Sequence, residues 1–86
     1  MPDYRITFAR SARKELELLD ASEVAKIYSR IISLVKDPRP HGCIKLKGPE
    51  NLWRIRCGVY RVIYAIDDDH CIIDVVRIRH RKDAYE

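Results

Sequence analysis

The sequence predicts an α+β fold: two N-terminal antiparallel helices packed on a mainly antiparallel β-sheet, in the order β-α-α-β-β-β, with a short C-terminal helical turn. Three observations predict it. A brief segment of period-two alternation comes first. Two amphipathic segments of helical period follow. The second half of the chain then returns to period-two alternation, punctuated by turn residues.

Tyr4-Arg5-Ile6-Thr7-Phe8 alternates, with Tyr4, Ile6 and Phe8 on one face, and predicts the first strand. Ser11 is a candidate N-cap for a short helix in which Ala12, Leu16 and Leu19 fall at i, i+4 and i+7. Asp20-Ala21-Ser22-Glu23 has capping-box spacing, with Asp in the cap role. The helix it opens carries an apolar stripe of Val24, Ile27, Tyr28, Ile31, Leu34 and Val35, and Asp37-Pro38-Arg39-Pro40 stops it. Each helix has one apolar face, so both need a sheet to cover. Strands are expected near Cys43–Leu46 (short), then over Leu52–Cys57, Val59–Ile66 and Cys71–Arg79. Gly58 separates two of them tightly, and Asp67-Asp68-Asp69 turns the last two into a hairpin. A final turn of helix is expected at Lys82–Glu86.

Eighty-six residues predict one domain, 1–86, with a thin core that hides roughly 60–65% of the unfolded surface. Hydrophobic content of 47% beside 35% charged residues of mixed sign argues against disorder. The net charge of +4 matters less than where it sits. Lys45, Lys47, Arg54, Arg56 and Arg61 face a single acid, Glu50, between His41 and Ile66, and Arg77, Arg79, Arg81 and Lys82 follow with no acid among them. Cys43, Cys57 and Cys71 are odd in number and form no CxxC pair, which predicts free buried thiols in a reducing cytosol. No leader precedes the first strand and no apolar run approaches membrane-spanning length, so a cytoplasmic protein without a membrane partner is expected.

Strand parity selects the candidate site. Arg54 and Arg56 share one face, and Trp53, Ile55 and Cys57 the other. Arg61 lies with Val59 and Ile63. Arg77, Arg79 and Arg81 share a side with Cys71, Ile73 and Val75, so the last strand is expected to leave its core position near its end. A guanidinium-lined sheet face repels itself unless a polyanion lies on it, and RNA is the first candidate. Plainer readings stand beside this one. Arg54 and Arg56 could form a solvated outer face, and Arg61 could pair with Asp74 or Glu50. Lys45 and Lys47 could be ordinary solvated lysines near Gly48-Pro49, and Tyr85 a frayed terminus. Trp53, Tyr28, Tyr60 and Tyr64 read as packing residues. His80 is the one candidate proton carrier in the basic cluster, with a packing role as its alternative; His41 and His70 sit in turns. No metal-ligand spacing, Gly-rich phosphate loop or carboxylate pair is present in the sequence, so no cofactor is expected.

Four stretches together resemble the RelE/ParE toxin superfamily: Lys45-Leu46-Lys47-Gly48, Leu52-Trp53-Arg54-Ile55-Arg56, Gly58-Val59-Tyr60-Arg61-Val62-Ile63-Tyr64, and Ile78-Arg79-His80-Arg81-Lys82-Asp83-Ala84-Tyr85. The resemblance covers essentially the whole chain and implies a RelE-like toxin of a toxin–antitoxin pair. RelE-type members cut mRNA in the ribosomal A site without a metal, by attack of a ribose 2′-hydroxyl on the neighbouring phosphate. The resemblance places Arg54 and Arg56 where that pattern has two strand lysines. Arg61 matches the arginine of the next strand, and Arg81 the late arginine that favours the leaving oxygen. Tyr85 matches the tyrosine that stacks on the nucleotide. Lys45, Lys47, Arg79, His80 and Lys82 are implied as further RNA-binding residues. Arginine at 54 and 56 is a departure, because it cannot act as a base, which leaves His80 or no side chain in that role. The implied partners are a cognate antitoxin protein, the ribosome and mRNA, with no small-molecule cofactor. The ParE branch, which shares the fold but poisons DNA gyrase, is the alternative, and an inactive RNA-binding relative a third.

Overall fold

The alternating segments form five strands and the helical ones two helices, in a computed structural model that describes residues 3–48 and 50–83. The elements are β1 (Arg5–Phe8), α1 (Arg10–Glu17), α2 (Ala21–Ser33), β2 (Ile44–Lys45), β3 (Leu52–Cys57), β4 (Tyr60–Asp67) and β5 (Ile72–His80), closed by a 3₁₀ turn over Arg81–Asp83. The rest of the expected C-terminal turn lies outside the described residues. The sheet order is β1-β5-β4-β3-β2, with β1 parallel to β5 and the other pairs antiparallel. The short strand expected near 43–46 is the two-residue β2 on the outer edge of β3.

Both helices pack on one face of the sheet. Ala12 of α1 and Ile27, Ile31 and Leu34 along α2 are fully buried against Ile55, Val62, Tyr64, Ile66, Ile73, Val75 and Ile78. Tyr64 is sealed in this core, and its hydroxyl donates to the Pro38 carbonyl at 2.8 Å. That bond ties the segment after α2 to the central strand. Tyr28, expected in the buried stripe, is instead half exposed and stacks on Phe8 at 6.4 Å.

The two expected helix caps behave differently. Asp20 caps α2, its carboxylate accepting from the Glu23 amide at 3.0 Å. Ser11 does not cap α1, which starts two residues earlier than that cap implies, at Arg10 behind Ala9. Its hydroxyl donates to the Val76 carbonyl at 2.7 Å.

Val76 is where the structure departs most from simple alternation. Tyr64 pairs with Val75 and Ile63 with Arg77, so Val76 is the extra residue of a β-bulge. Before the bulge Ile73 and Val75 are buried; after it Ile78 is, at 4% exposure. The strand therefore does not leave the core near its end, as simple parity implies. It shifts phase by one residue, and Arg77 and Arg79 turn to the face away from the helices.

Past the bulge β5 has no strand neighbour on its outer side, because β1 ends opposite Val75. The segment entering α1 and α1 itself cover this edge. The Ala9 amide donates to the Val75 carbonyl at 2.8 Å, Ser11 serves Val76, and the Glu15 carboxylate accepts from the Ile78 amide at 2.8 Å. An edge that would otherwise invite strand addition is thereby satisfied.

Candidate active site

Register builds the site on the open face. Residues directly opposite one another on adjacent strands project to the same side, with Cβ atoms about 4.5–5.5 Å apart. Arg56 lies opposite Arg61, and Arg61 opposite Arg79. In the next row Arg54 lies opposite Ile63, and Ile63 opposite Arg77. Three strands thus present five arginines on one face, two of them only because of the bulge at Val76.

The turn between β3 and β4 completes the site. Gly58 and Val59 form a two-residue hairpin loop with Gly58 at φ +60°. Glycine in the left-handed region at the first loop position is the pattern of a type II′ turn, the loop whose twist suits a hairpin this short. The Val59 carbonyl then accepts from the Arg81 amide at 2.7 Å. This bond draws the chain leaving β5 back over the turn and sets Arg81 and Lys82 beside the arginine row. Arg56, Gly58, Arg61, Arg81 and Lys82 line a cleft of about 440 Å³.

Burial, and then the charges of Arg61 and Arg56, lower the pKa of the Arg54 guanidinium. Its Nε is buried with no hydrogen-bond partner. A cationic group that is desolvated and crowded by like charge is stabilised when an anion arrives. Guanidinium forks also match the oxygens of a phosphodiester.

The comparisons with known proteins fit this geometry. The family described as "ParE toxin of type II toxin-antitoxin system, parDE" matches residues 6–85. The chain belongs to this family of toxins. Within the RelE/ParE superfamily its relatives include toxins named RelE and RelG. It is 29% identical to toxin RelG of Mycobacterium tuberculosis, over 95% of this chain and 95% of that protein. Its fold is similar to the toxin–antitoxin complex RelBE2 of M. tuberculosis, with a TM-score of 0.84 and 28% identity over 96% of this chain and 97% of that one. The archaeal RelE–RelB complex from Pyrococcus horikoshii gives 0.82 and 28%, over 95% and 99%.

Within the toxin, the expected site residues divide. Arg56, Arg61, Arg81 and Lys82 meet in the cleft, and Arg54 stands beside it. Arg79 is opposite Arg61, but its Nε lies 3.1 Å from Glu15 Oε2, an ion pair without hydrogen-bond alignment. His80 projects to the opposite side of β5 from Arg79. Its ring meets Tyr60 edge-on at 5.4 Å, and its Nδ1 accepts from the Lys82 amide at 3.2 Å. It does not line the cleft. Lys45 pairs with Trp53 and so belongs to the helix side, whereas Lys47 borders a second depression on the open face. Tyr85 lies outside the described residues. Asp74, a suggested partner of Arg61, accepts from Thr7 at 2.7 Å two rows away. Trp53 is engaged on the helix side by the Arg39 guanidinium, 4.8 Å from its ring centre.

Two residues that matter escape sequence reasoning. Glu15 holds both Arg79 and the Ile78 amide, and nothing in its helical position announces this. Val76 sets the phase of the arginines, and here a signal does exist. Ile73, Val75 and Ile78 cannot share a face in an unbroken strand, and the mismatch marks an inserted residue. Among the described residues no helix is long and apolar enough to cross a membrane.

Proposed function

We propose that the toxin is a ribosome-dependent mRNA endonuclease acting in the cytoplasm on translated message. The observation that carries this reading is the convergence of Arg56, Arg61 and Arg81, from three separate segments, on one cleft. In the reaction the 2′-oxygen loses its proton and bonds to the adjacent phosphorus. The bond from phosphorus to the 5′-oxygen breaks, and that oxygen takes up a proton. The products are a 2′,3′-cyclic phosphate and a 5′-hydroxyl end.

Arg56 and Arg61 flank the position of the phosphorane, and Arg81, set over the hairpin turn, favours the leaving oxygen. No arginine can serve as base, and His80 is turned away. Catalysis therefore rests on preorganised positive charge rather than on a histidine. Lys82 is the one described cleft side chain able to release a proton at all. Tyr85 is assigned to nucleotide stacking by resemblance.

Primer extension on a translated message after induction tests this. Breaks inside translated codons are expected, and Arg61→Ala or Arg81→Ala should each lower cleavage by about 10²–10³-fold. Full toxicity of both variants would overturn the assignment. The matched family carries the ParE name, so gyrase poisoning is the second reading. Gyrase-linked DNA breaks in a supercoiling assay, with message intact, would select it. The RelE–RelB complexes among the structural neighbours support a cognate antitoxin as partner. Co-purification with a short neighbouring gene product, and relief of growth arrest by it, is the expected result.

A further inference from the structure

On the same face of the sheet as the arginine cleft lies a second depression, of about 400 Å³, lined by Leu46, Lys47, Leu52, Ile63, Val76 and Arg77. Its floor is apolar and its rim cationic. The core does not account for it, since the helices cover the other face. It exists because the bulge inserts Val76 beside Arg77 and because the loop after β2 folds Leu46 and Lys47 over the end of β3. We propose that this depression is a nucleobase subsite. It takes one base of the RNA strand whose neighbouring phosphate occupies the arginine cleft. The inference rests on the RNA-cleaving reading and adds a specificity determinant to it.

Three observations commit the depression to a base rather than to a protein segment. It adjoins the cleft: the row of Ile63 and Arg77 is the next one along from Arg61 and Arg79, about 6.5–7 Å away. One nucleotide of an extended strand covers that distance. Arg54 stands opposite Ile63 in the same row as the depression, and the charges of Arg61 and Arg56 in the next row act on it, so positive charge is continuous between the two sites. The chemistry also suits a base. Splayed bases of single-stranded RNA stack on guanidinium planes and bury their faces on apolar surface, and here Arg77 offers the plane and Ile63 and Leu52 the apolar floor. The cationic rim would repel a basic segment and adds attraction for nucleic acid.

Amide NMR on the full-length toxin tests the subsite with a 2′-O-methylated trinucleotide, which cannot supply the attacking hydroxyl. A copy abasic at either end is the control. The intact probe should shift Leu52, Ile63 and Val76 together with Arg56, Arg61 and Arg81. One abasic copy should lose the first set and keep the second. Ile63→Ala, or Leu52→Ala as a second variant, removes part of the apolar floor and should weaken binding of the intact probe by about tenfold while the abasic copy binds as before. Identical shifts with intact and abasic probes, or Leu52, Ile63 and Val76 unmoved by the intact one, would overturn the subsite. The two readings fail separately. Base-dependent shifts without message cleavage in cells leave the subsite standing and remove the nuclease. Cleavage without base-dependent shifts does the reverse.

Discussion

The two faces of the central sheet are built from the same three strands, yet they are chemically opposite. On the helix side Ile55, Val62, Tyr64, Ile73 and Val75 are sealed to within 1% exposure. On the open side Arg54, Arg56 and Arg61 alternate with them in sequence, and Arg77 and Arg79 reach the same side through the bulge. The covered face gains from removing apolar area from water. The open face tolerates like-charge crowding, and Arg54, whose charge is disfavoured first by burial, also registers the charges of Arg61 and Arg56. One face is arranged for stability and the other crowds positive charge, and on β5 a single inserted residue decides which side chains fall on which face.

Deleting Val76 should break the comparison most completely. Arg77 and Arg79 would turn toward the helices and Ile78 toward solvent, and burying two guanidiniums without partners is costly enough to unfold a small domain. Loss of cooperative thermal unfolding is the expected result. Ile31→Ala, on the covered side, should cost about 2–5 kcal/mol in a denaturant titration, because the side chain is fully buried. Glu15→Ala leaves the Ile78 amide without its acceptor and Arg79 without its counter-charge. A loss of about 1–3 kcal/mol is expected, and hydrogen exchange at Ile78 should rise before that of the core.

Arg54→Met reverses the sign. The folded state lowers the pKa of Arg54 and so disfavours its charge, and an uncharged chain of similar length should raise the melting temperature while cleavage falls. The smallest effect is expected far from both faces. Hydrogen bonds from Arg39 and from the Tyr4 hydroxyl hold the Asp68 carboxyl below its usual range. A depressed carboxyl contributes stability above its unfolded pKa, about 3.9, and loses it as pH falls through the lower folded value. Asp68→Asn should remove that contribution: the variant is slightly less stable at neutral pH, its acid limb is flatter below about pH 4, and the two proteins converge at lower pH.

Much of the fold was legible because it depends on local periodicity. The Asp20 cap, the stripe of Ile27, Ile31 and Leu34, and the Gly58 turn each need only neighbours in sequence to be recognised. The arginines of β3 and β4 were legible for the same reason. Ser11 was misread as a cap because its acceptor lies 65 residues away at the bulge. His80 looked like a proton carrier until strand phase turned its ring onto Tyr60.

Sequence alone determined which residues carry charge, which carry the apolar stripe, and that the last three long strands alternate between them. Tertiary structure decided that the mismatch within β5 is resolved by a bulge at Val76, that Glu15 claims Arg79, and that the Val59 carbonyl brings Arg81 over the cleft. The physical reason is range. Periodicity is a property of adjacent residues, whereas a bulge, an edge cover and a converging cleft exist only once strands distant in sequence share one hydrogen-bonded register.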